Sequence, residues 1–568
     1  MEISRRLFLS LSIALVVDGC SSDAKSEPSA DSDPPLTPQP STTAVTQVTA
    51  ATQEAPAAEN VPAPTVPATT GPASTGPASS ATETNAVEFA TDPFTLGIAS
   101  GDPNQTSVIL WTRLALDPLH GGGMGDEDVS VWWEMSTDAE FETIVADGSA
   151  LASVTDAHTV HIDAAPSDRT AAEYFYRFRA GGFMSPVGRT KLAPTSNVAS
   201  TRFVSASCQN YEDGFFAAHA DIAAQSPDFL LWLGDYIYEG AGSPAGSADA
   251  VRSHASPEPK DLTAYRNRYA LYKSDSSLQA AHQACPWFVI WDDHEVENNY
   301  AGLIPQDPTE TATFGLRRQQ AYKAWWEHQP VRLPPPGDEG EYRIYRSVRW
   351  GDLVGLALLD TRQYRSDQGC GDATLNLDPA CSDLLDATRT LTGAEQQAWL
   401  FSTLGQQDTL WNVIAQQIVM ADITLNGAVL NYDQWDGYPQ ARQRILQHLA
   451  DANVPNTIVL SGDIHLAGVA VLRAGERDTS PAVAIEFVDT SISSGGLVDA
   501  AVTDLVKSFP DIVDVELEHR GYILHTVTAN EWSAQYRFVE NVALPDSPVT
   551  VYRTFVVNEG TSSVAAQA

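Results

Sequence analysis

Between residues 201 and 557, short apolar runs alternate with longer amphipathic stretches. The runs Phe203–Ser207, Phe229–Leu233, Trp287–Trp291, Leu353–Leu359, Trp411–Ile418, Thr457–Leu460 and Val483–Val488 predict strands. Helices are predicted over Phe215–Ala224, Phe314–His328 and Gly393–Leu404, the last opened by the capping box Thr392-Gly393-Ala394-Glu395. Another starts near Tyr438, where Pro439 suits a first helical turn. This alternation implies a layered α/β domain with helices outside the sheets. The chain closes on β-like segments, Tyr522–Val527 and Val549–Val557. Residues 88–198 have a different texture. There, Thr106–Thr112, Val129–Met135 and Tyr174–Arg179 are short strands separated by Gly and Asp clusters, the pattern of a small β-sandwich. Residues 22–86 are dominated by Pro, Ala, Thr and Ser and predict a spacer without a core.

Three of the apolar runs stop abruptly at acids or at acid and imidazole. They end in Gly234-Asp235-Tyr236-Ile237-Tyr238, Trp291-Asp292-Asp293-His294-Glu295 and Ser461-Gly462-Asp463-Ile464-His465. Open α/β sheets place their chemistry at the carboxyl ends of strands. Oxygen and nitrogen donors converging from three such ends make a site for metal ions. Asp235 has two oxygens and can bridge two cations. Tyr238 offers a hard phenolate suited to iron(III), or packs beneath the loop. Adjacent acids at Asp292 and Asp293 repel each other unless a cation neutralises them. Asp463 and His465 stand at i and i+2, which on an extended segment face one way. Asn298 and Asn299 are either further oxygen ligands or turn residues.

The chain has 568 residues, too many for one ordinary domain, and a formal net charge of −40. That charge argues against nucleic-acid binding, because a phosphate backbone would be repelled. An anionic substrate would need bound cations and a few arginines to reverse the field locally. Residues 1–21 read as a targeting segment. Ser4-Arg5-Arg6-Leu7-Phe8-Leu9 resembles a twin-arginine signal, and Leu7–Val17 is too short to span a bilayer, which takes roughly 20 residues. Val17-Asp18-Gly19-Cys20-Ser21 resembles a lipobox in which Cys20 would be lipidated, with simple secretion as the alternative. Of the five cysteines, Cys370 and Cys381 share a Gly/Asp-rich loop, and export favours a disulfide between them. Cys285 reads as a small buried hydrophobe.

Taken together, Ser205-Ala206-Ser207-Cys208-Gln209-Asn210, the Gly234–Glu239 and Trp291–Asn299 segments, Leu359-Asp360-Thr361-Arg362-Gln363-Tyr364 and Ser461–His465 resemble, in order, the PhoD-type alkaline phosphatases. These are a branch of the calcineurin-like metallophosphoesterases related to purple acid phosphatases. The resemblance spans about residues 88–557. It implies an α/β fold, a four-layer α/β/β/α sandwich over residues 199–560, preceded by a small all-β, Ig- or fibronectin-like sandwich. It also implies iron(III) bound by Cys208, Tyr238 and His465, with Asp235 bridging to a second site that Asp293, Asp463 and Gln417 complete. Gln416 is the alternative to Gln417, and a buried amide or thiol is the alternative role for Gln417 or Cys208. A second site rich in oxygen favours calcium over zinc, so the cofactors implied are one iron with one or two calcium ions. His294 would touch the phosphoryl oxygens or the leaving group. Arg362 would clamp the phosphate bidentately, or form a salt bridge to Asp360 or another acid at the core edge. The expected activity is that of an exported phosphomonoesterase and phosphodiesterase that uses metal-activated hydroxide to acquire phosphate, working as a monomer on small esters. Open alternatives are a phospholipid or teichoic-acid phosphodiesterase and a non-catalytic, lipid-anchored surface-binding protein.

Overall fold

The computed structural model describes residues 88–567 apart from 245, 249, 338–339, 372–380, 407, 426–427, 476–478 and 497–499. The leader with Cys20 and the spacer at 22–86 lie outside the described residues. Each predicted strand and helix of the α/β region is present, with ends displaced by a few residues.

Buried parallel strands need apolar side chains on both faces, and the apolar runs form the centres of two large sheets. In the ten-stranded sheet, Ser200–Ala206, Phe229–Trp232 and Trp287–Val289 pair in parallel. Antiparallel strands Arg520–Thr528, Glu531–Val539, Val549–Asn558 and Val564–Ala566 extend one side of that trio. In the seven-stranded sheet, Val354–Leu358, Trp411–Ala415, Thr457–Ser461 and Ala482–Val488 pair in parallel. Arg346–Trp350 borders them on one side, and Ala467–Arg473 with Ile512–Glu516 on the other.

The period-2 alternation of the second sheet shows which layer each face meets. Leu356, Leu358, Val413, Ala415, Ile458, Leu460 and Ile485 join one core with Phe203, Phe229 and Trp532 of the first sheet. Ala357, Ile414, Val459 and Ala484, on the opposite face, join a second core with helices Gly393–Gln406 and Pro439–Asp451. Between the sheets, Phe203 stacks on Phe229 at 4.6 Å, Phe229 lies 4.7 Å from Trp350, and Trp411 meets Trp532 at 5.7 Å. The first sheet's other face meets helices. Trp232 lies 5.8 Å from His219 on helix Ala217–Gln225, and Trp287 stacks at 3.8 Å on His282 of helix Ser276–Ala284.

Residues 88–198 do not stand apart from this body. Strands Ile98–Gly101, Val108–Arg113 and Thr159–Ala164 continue the ten-stranded sheet, with Gly101 in parallel register with Trp287. The remaining strands of the segment, Ile144–Ala152, Val129–Ser136, Tyr174–Ala180, Phe183–Met184 and Gly188–Thr190, form a separate five-stranded sheet. A cluster including Ile98, Leu110, Val131, Met135, Tyr176 and Phe178 fills the space between that sheet and the extended wing. Cys370 and Cys381 form a disulfide, with Cα atoms 5.8 Å apart. Among the described residues, no helix is long and apolar enough to cross a membrane.

Candidate metal centre

Every strand that carries a predicted ligand runs in parallel with at least one neighbour, so within each sheet the turns that follow these strands lie at the same end. Cys208 follows Ser200–Ala206, Asp235 follows Phe229–Trp232, and Asp292 and Asp293 follow Trp287–Val289. Arg362 follows Val354–Leu358, and Asp463 follows Thr457–Ser461. The chain turns sharply at each end. Cys208, Asp235, Asp463 and His465 all adopt left-handed backbone, with φ of 60°, 56°, 69° and 53°. Two glycines allow the close approach this needs. A Cβ at Gly234 would lie 2.4 Å from the Asp292 Cβ, and one at Gly462 would lie 2.4 Å from the Ser207 hydroxyl.

One ligand group has mixed donors. The Cys208 thiol, an Asp235 oxygen and a His465 ring nitrogen lie within 4.8 Å of one another. The Tyr238 hydroxyl joins them, 3.0 Å from Asp235 Oδ2 and 2.9 Å from His465 Nε2, and accepts a hydrogen bond from Ser494 at 2.8 Å. His465 Nδ1 donates to the Gly495 carbonyl at 2.5 Å, which leaves Nε2 as the free lone pair facing the group. Burial, with Arg520 and His294 nearby, lowers His465 to about 3, so the ring is neutral. Burial also raises Cys208, and Asp235 beside it adds to the rise.

The second group is all carboxylate. Asp235, Asp292, Asp293 and Asp463 each offer an oxygen within 4.8 Å of the others, and burial raises Asp235 and Asp292 and brings Asp463 to about 6. Arg362 is driven into this cluster. Its Nε pairs with Asp292, Nη1 with Asp433 at 2.7 Å, and Nη2 with Asp463 at 2.9 Å and Asp293 at 3.5 Å. Its side chain is 0 % exposed. The guanidinium is fully buried against these carboxylates, which favours the ion-pair reading of Arg362 over the phosphate clamp. The alternative, a salt bridge to Asp360 or another acid, is met by Asp292, Asp433 and Asp463 and not by Asp360, whose carboxylate accepts from the backbone N–H groups of Arg362 and Gln363 and from the Gln363 amide.

Gln417 is corrected too. Its Oε1 accepts from Thr361 twice, and its Nε2 donates to the Trp291 and Leu359 carbonyls at 2.8 and 2.9 Å. The amide is saturated, so it ties strand ends together and is not a ligand. Gln416 is equally committed, to Ser461, Trp435 and the Ile418 carbonyl. Asn299 adopts φ 55° and gives its N–H to Asp293 at 2.6 Å, so of the two readings for Asn299 the turn holds. Asn298 gives its N–H to Glu239 at 2.7 Å and its side-chain amide to Gln306 at 3.0 Å.

His294 stacks on Tyr238 with centroids 4.1 Å apart, and its Nδ1 lies 2.6 Å from Glu239. Burial opposes the imidazolium, but Glu239, Asp235 and Asp293 together outweigh it and raise His294 well above its ordinary value.

Several working residues carried no sequence signal of their own. The buried Glu295 carboxylate accepts three backbone N–H groups, from Asp235 at 3.0 Å, Tyr236 at 2.7 Å and Asp292 at 2.8 Å, and so locks two ligand turns together. Asp433 comes from a loop without an apolar lead-in, while Glu239 and Glu295 lie inside the recognised segments with nothing in the sequence to assign them a role.

This donor set fits bound cations. Asp293 Oδ1 is buried without a hydrogen-bond partner, and one guanidinium with the neighbouring His294 imidazolium cannot balance four clustered carboxylates. The first group, with sulfur, phenol, imidazole and carboxylate, suits a transition metal. The second, all oxygen, suits a hard cation.

The profile of the PhoD-like phosphatase family matches residues 203–536, and that of the PhoD-like phosphatase N-terminal domain matches residues 78–194. Over 480 residues the chain is 42% identical to alkaline phosphatase D of Bacillus subtilis (strain 168), covering 83% of this chain and 82% of that protein. It is also similar to a solved structure described as the structure of PhoD, with a TM-score of 0.81 and 41% identity over 85% of this chain and 94% of that one.

Proposed function

The chain belongs to the PhoD-like phosphatase family and is a phosphoric ester hydrolase, and we propose that it is an exported, metal-dependent enzyme that cleaves small phosphomonoesters and phosphodiesters to release phosphate. The two facing sheets with helices on their outer sides are read as the four-layer α/β/β/α sandwich of metallophosphoesterases, with the β-sandwich of residues 88–198 sharing its larger sheet with that body. One observation carries the proposal: a thiol, phenol and imidazole group and an all-carboxylate group share Asp235 at one set of strand ends.

In this reading Cys208, Tyr238 and His465 would hold iron(III), Asp293 and Asp463 would hold calcium, and Asp235 would serve both ligand groups. When bound, the cations supply Lewis-acid charge at the phosphoryl oxygens and acidify water. The remaining roles belong to the protein. Glu239 fixes His294 through Nδ1, leaving Nε2 for the phosphoryl or leaving-group oxygen. Arg362 balances the carboxylates. Ser494 and His465 orient the Tyr238 hydroxyl.

Elemental analysis of protein purified without added metal, beside hydrolysis of p-nitrophenyl phosphate and bis-p-nitrophenyl phosphate, tests the reading. Iron and calcium with turnover of both esters supports it, and active protein holding only zinc overturns the metal assignment. Export through the twin-arginine leader, a lipid on Cys20 and a monomeric state belong to the same proposal. They are checked by the mass of the mature N-terminus and by sedimentation.

A further inference from the structure

The five-stranded sheet carries none of the groups described above, yet its outer face is built unlike the rest of the surface. Of fourteen exposed large hydrophobic residues among those described, Trp132, Ile144, Leu151, Met184 and Val187 lie on or beside this small sheet. Strand register explains the arrangement. Trp132 is opposite Ser149 on one side and Arg179 on the other, and Arg179 is opposite Met184. With strands about 4.8 Å apart, these four form one cross-strand row about 15 Å long. Two residues along, Glu134 is opposite both Asp147 and Arg177, which makes a second, polar row on the same face.

The rows line an open groove of about 570 Å³, with Ile144 also in its wall. Trp132 is 40% exposed, and the Arg179 guanidinium lies 5.9 Å from its ring centroid. Arg177 is held in place, 2.5 Å from Glu134 and 3.9 Å above the Phe141 ring.

We propose that this groove binds a neutral glycan chain. A pyranose ring has an apolar C–H face and an edge of hydroxyls. Trp132 and Met184 offer the apolar support, while Glu134, Asp147, Arg177 and Arg179 offer acceptors and donors beside it. The charges select among occupants. Two carboxylates and two guanidiniums sum to zero in a chain whose formal charge is −40. A polyanion finds no excess positive charge there, and a basic peptide finds no excess negative charge. A stable protein interface has a desolvated apolar core within about 800 Å² per partner, whereas here four charged side chains break up the apolar surface. Because the groove lies on a sheet without ligand residues, a glycan held there leaves the metal centre free. The enzyme would thus be retained on a polysaccharide while it hydrolyses esters nearby.

The test is affinity electrophoresis and calorimetry of the full chain with chitohexaose and cellohexaose. At least one should bind at millimolar or lower concentration. Trp132→Ala should weaken that binding by about 10-fold or more, and Arg179→Ala should weaken it less. Turnover of p-nitrophenyl phosphate should be unchanged in both variants, which also reports that they fold. Leu151→Ala, at an exposed position outside the groove lining, should bind as wild type does. Absence of binding to either oligosaccharide at about 10 mM, or binding unaffected by Trp132→Ala, overturns the proposal. Concentration-dependent self-association that Trp132→Ala abolishes also overturns it, because the face would then be covered by a second copy.

Discussion

Removing the Arg362 guanidinium should destabilise the metal-stripped enzyme far more than the metal-loaded one. Arg362→Met keeps most of the aliphatic stem and deletes the group that contacts Asp292, Asp293, Asp433 and Asp463 together. Arg365 remains, but of these acids it pairs only with Asp433. Breaking a buried ion pair by deleting one partner costs about 3–5 kcal/mol. With an unfolding entropy of about 2.1 cal/mol/K per residue over a body of this size, each kcal/mol is worth about 1 °C, so Tm should fall by about 3–5 °C. Added calcium should recover much of that loss in the variant, since a cation can take over the balancing charge. Lowering the pH should help as well. Burial raises Asp292, and brings Asp463 to about 6, against an unfolded value near 3.9. The folded state therefore holds more protons than the unfolded one, and the penalty present at pH 8 is relieved as pH falls through the folded values. The assay is differential scanning calorimetry of chelator-treated wild type and variant, at pH 8 and 6, with and without calcium. Equal Tm values for the two stripped proteins, or a loss that neither calcium nor acid recovers, would refute the argument.

Asp235→Asn should lose metal and activity together, whereas His294→Ala should keep its metals and lose about 10²–10³ in kcat; loss of metal from His294→Ala would show that residue to be a ligand. Glu239→Gln keeps a hydrogen-bond acceptor for His294 but not its charge, so metal content should hold while kcat falls by less than in His294→Ala, and a larger fall would contradict the positioning role. The Cys370–Cys381 disulfide closes about a dozen residues and should be worth on the order of 3 kcal/mol; peptide mapping of exported protein that finds two free thiols removes the basis for that figure. Burial lowers His219 and His525 to about 3, so each must stay neutral in the fold. As pH falls below about 6.5 each should withdraw stability, reaching about 2 kcal/mol at pH 5. His219→Gln should flatten the acid slope of stripped protein, and an unchanged slope counts against the neutral core histidine.

The centres of both large sheets were legible because a buried parallel strand must be apolar on both faces, and Phe229–Trp232 or Thr457–Ser461 can be read as little else. Borders were not. Arg346–Trp350 reads Arg-Ser-Val-Arg-Trp, polar at three of five positions, so its strand character comes from pairing with Val354–Leu358 rather than from its own composition. Helix Leu262–Lys273 was missed because its buried face includes Arg268 and Lys273, which no hydrophobic period detects. Strands Ile98–Gly101 and Val108–Arg113 carry no local mark of which sheet they join. At the centre, acids at strand ends were legible as acids, but their partners were not. Arg362 pairs with Asp residues 69 to 101 positions away, and Gln417 is saturated by groups from two other strand ends.

The left-handed turns add a constraint of their own. Four proposed ligands, Cys208, Asp235, Asp463 and His465, occupy backbone that non-glycine residues adopt at a cost of about 1 kcal/mol or more each. Strain persists only where surrounding bonds hold it. The Cys208 N–H donates to the Gly234 carbonyl at 3.1 Å, and the Gln209 N–H to the Asp235 carbonyl at 3.1 Å, so these two turns are stitched to each other. Glu295 binds the Asp235 N–H, and the Gln417 carbonyl receives the Gly462 N–H at 2.6 Å just before Asp463. Each strained turn is thus restrained by a group from a different strand end. Glycine at position 235 would relax the turn but delete the shared carboxylate, and no other residue type supplies both a bridging pair of oxygens and tolerance of positive φ as well as Asp does. The position that joins the two ligand groups is therefore fixed by backbone geometry as firmly as by its donor atoms.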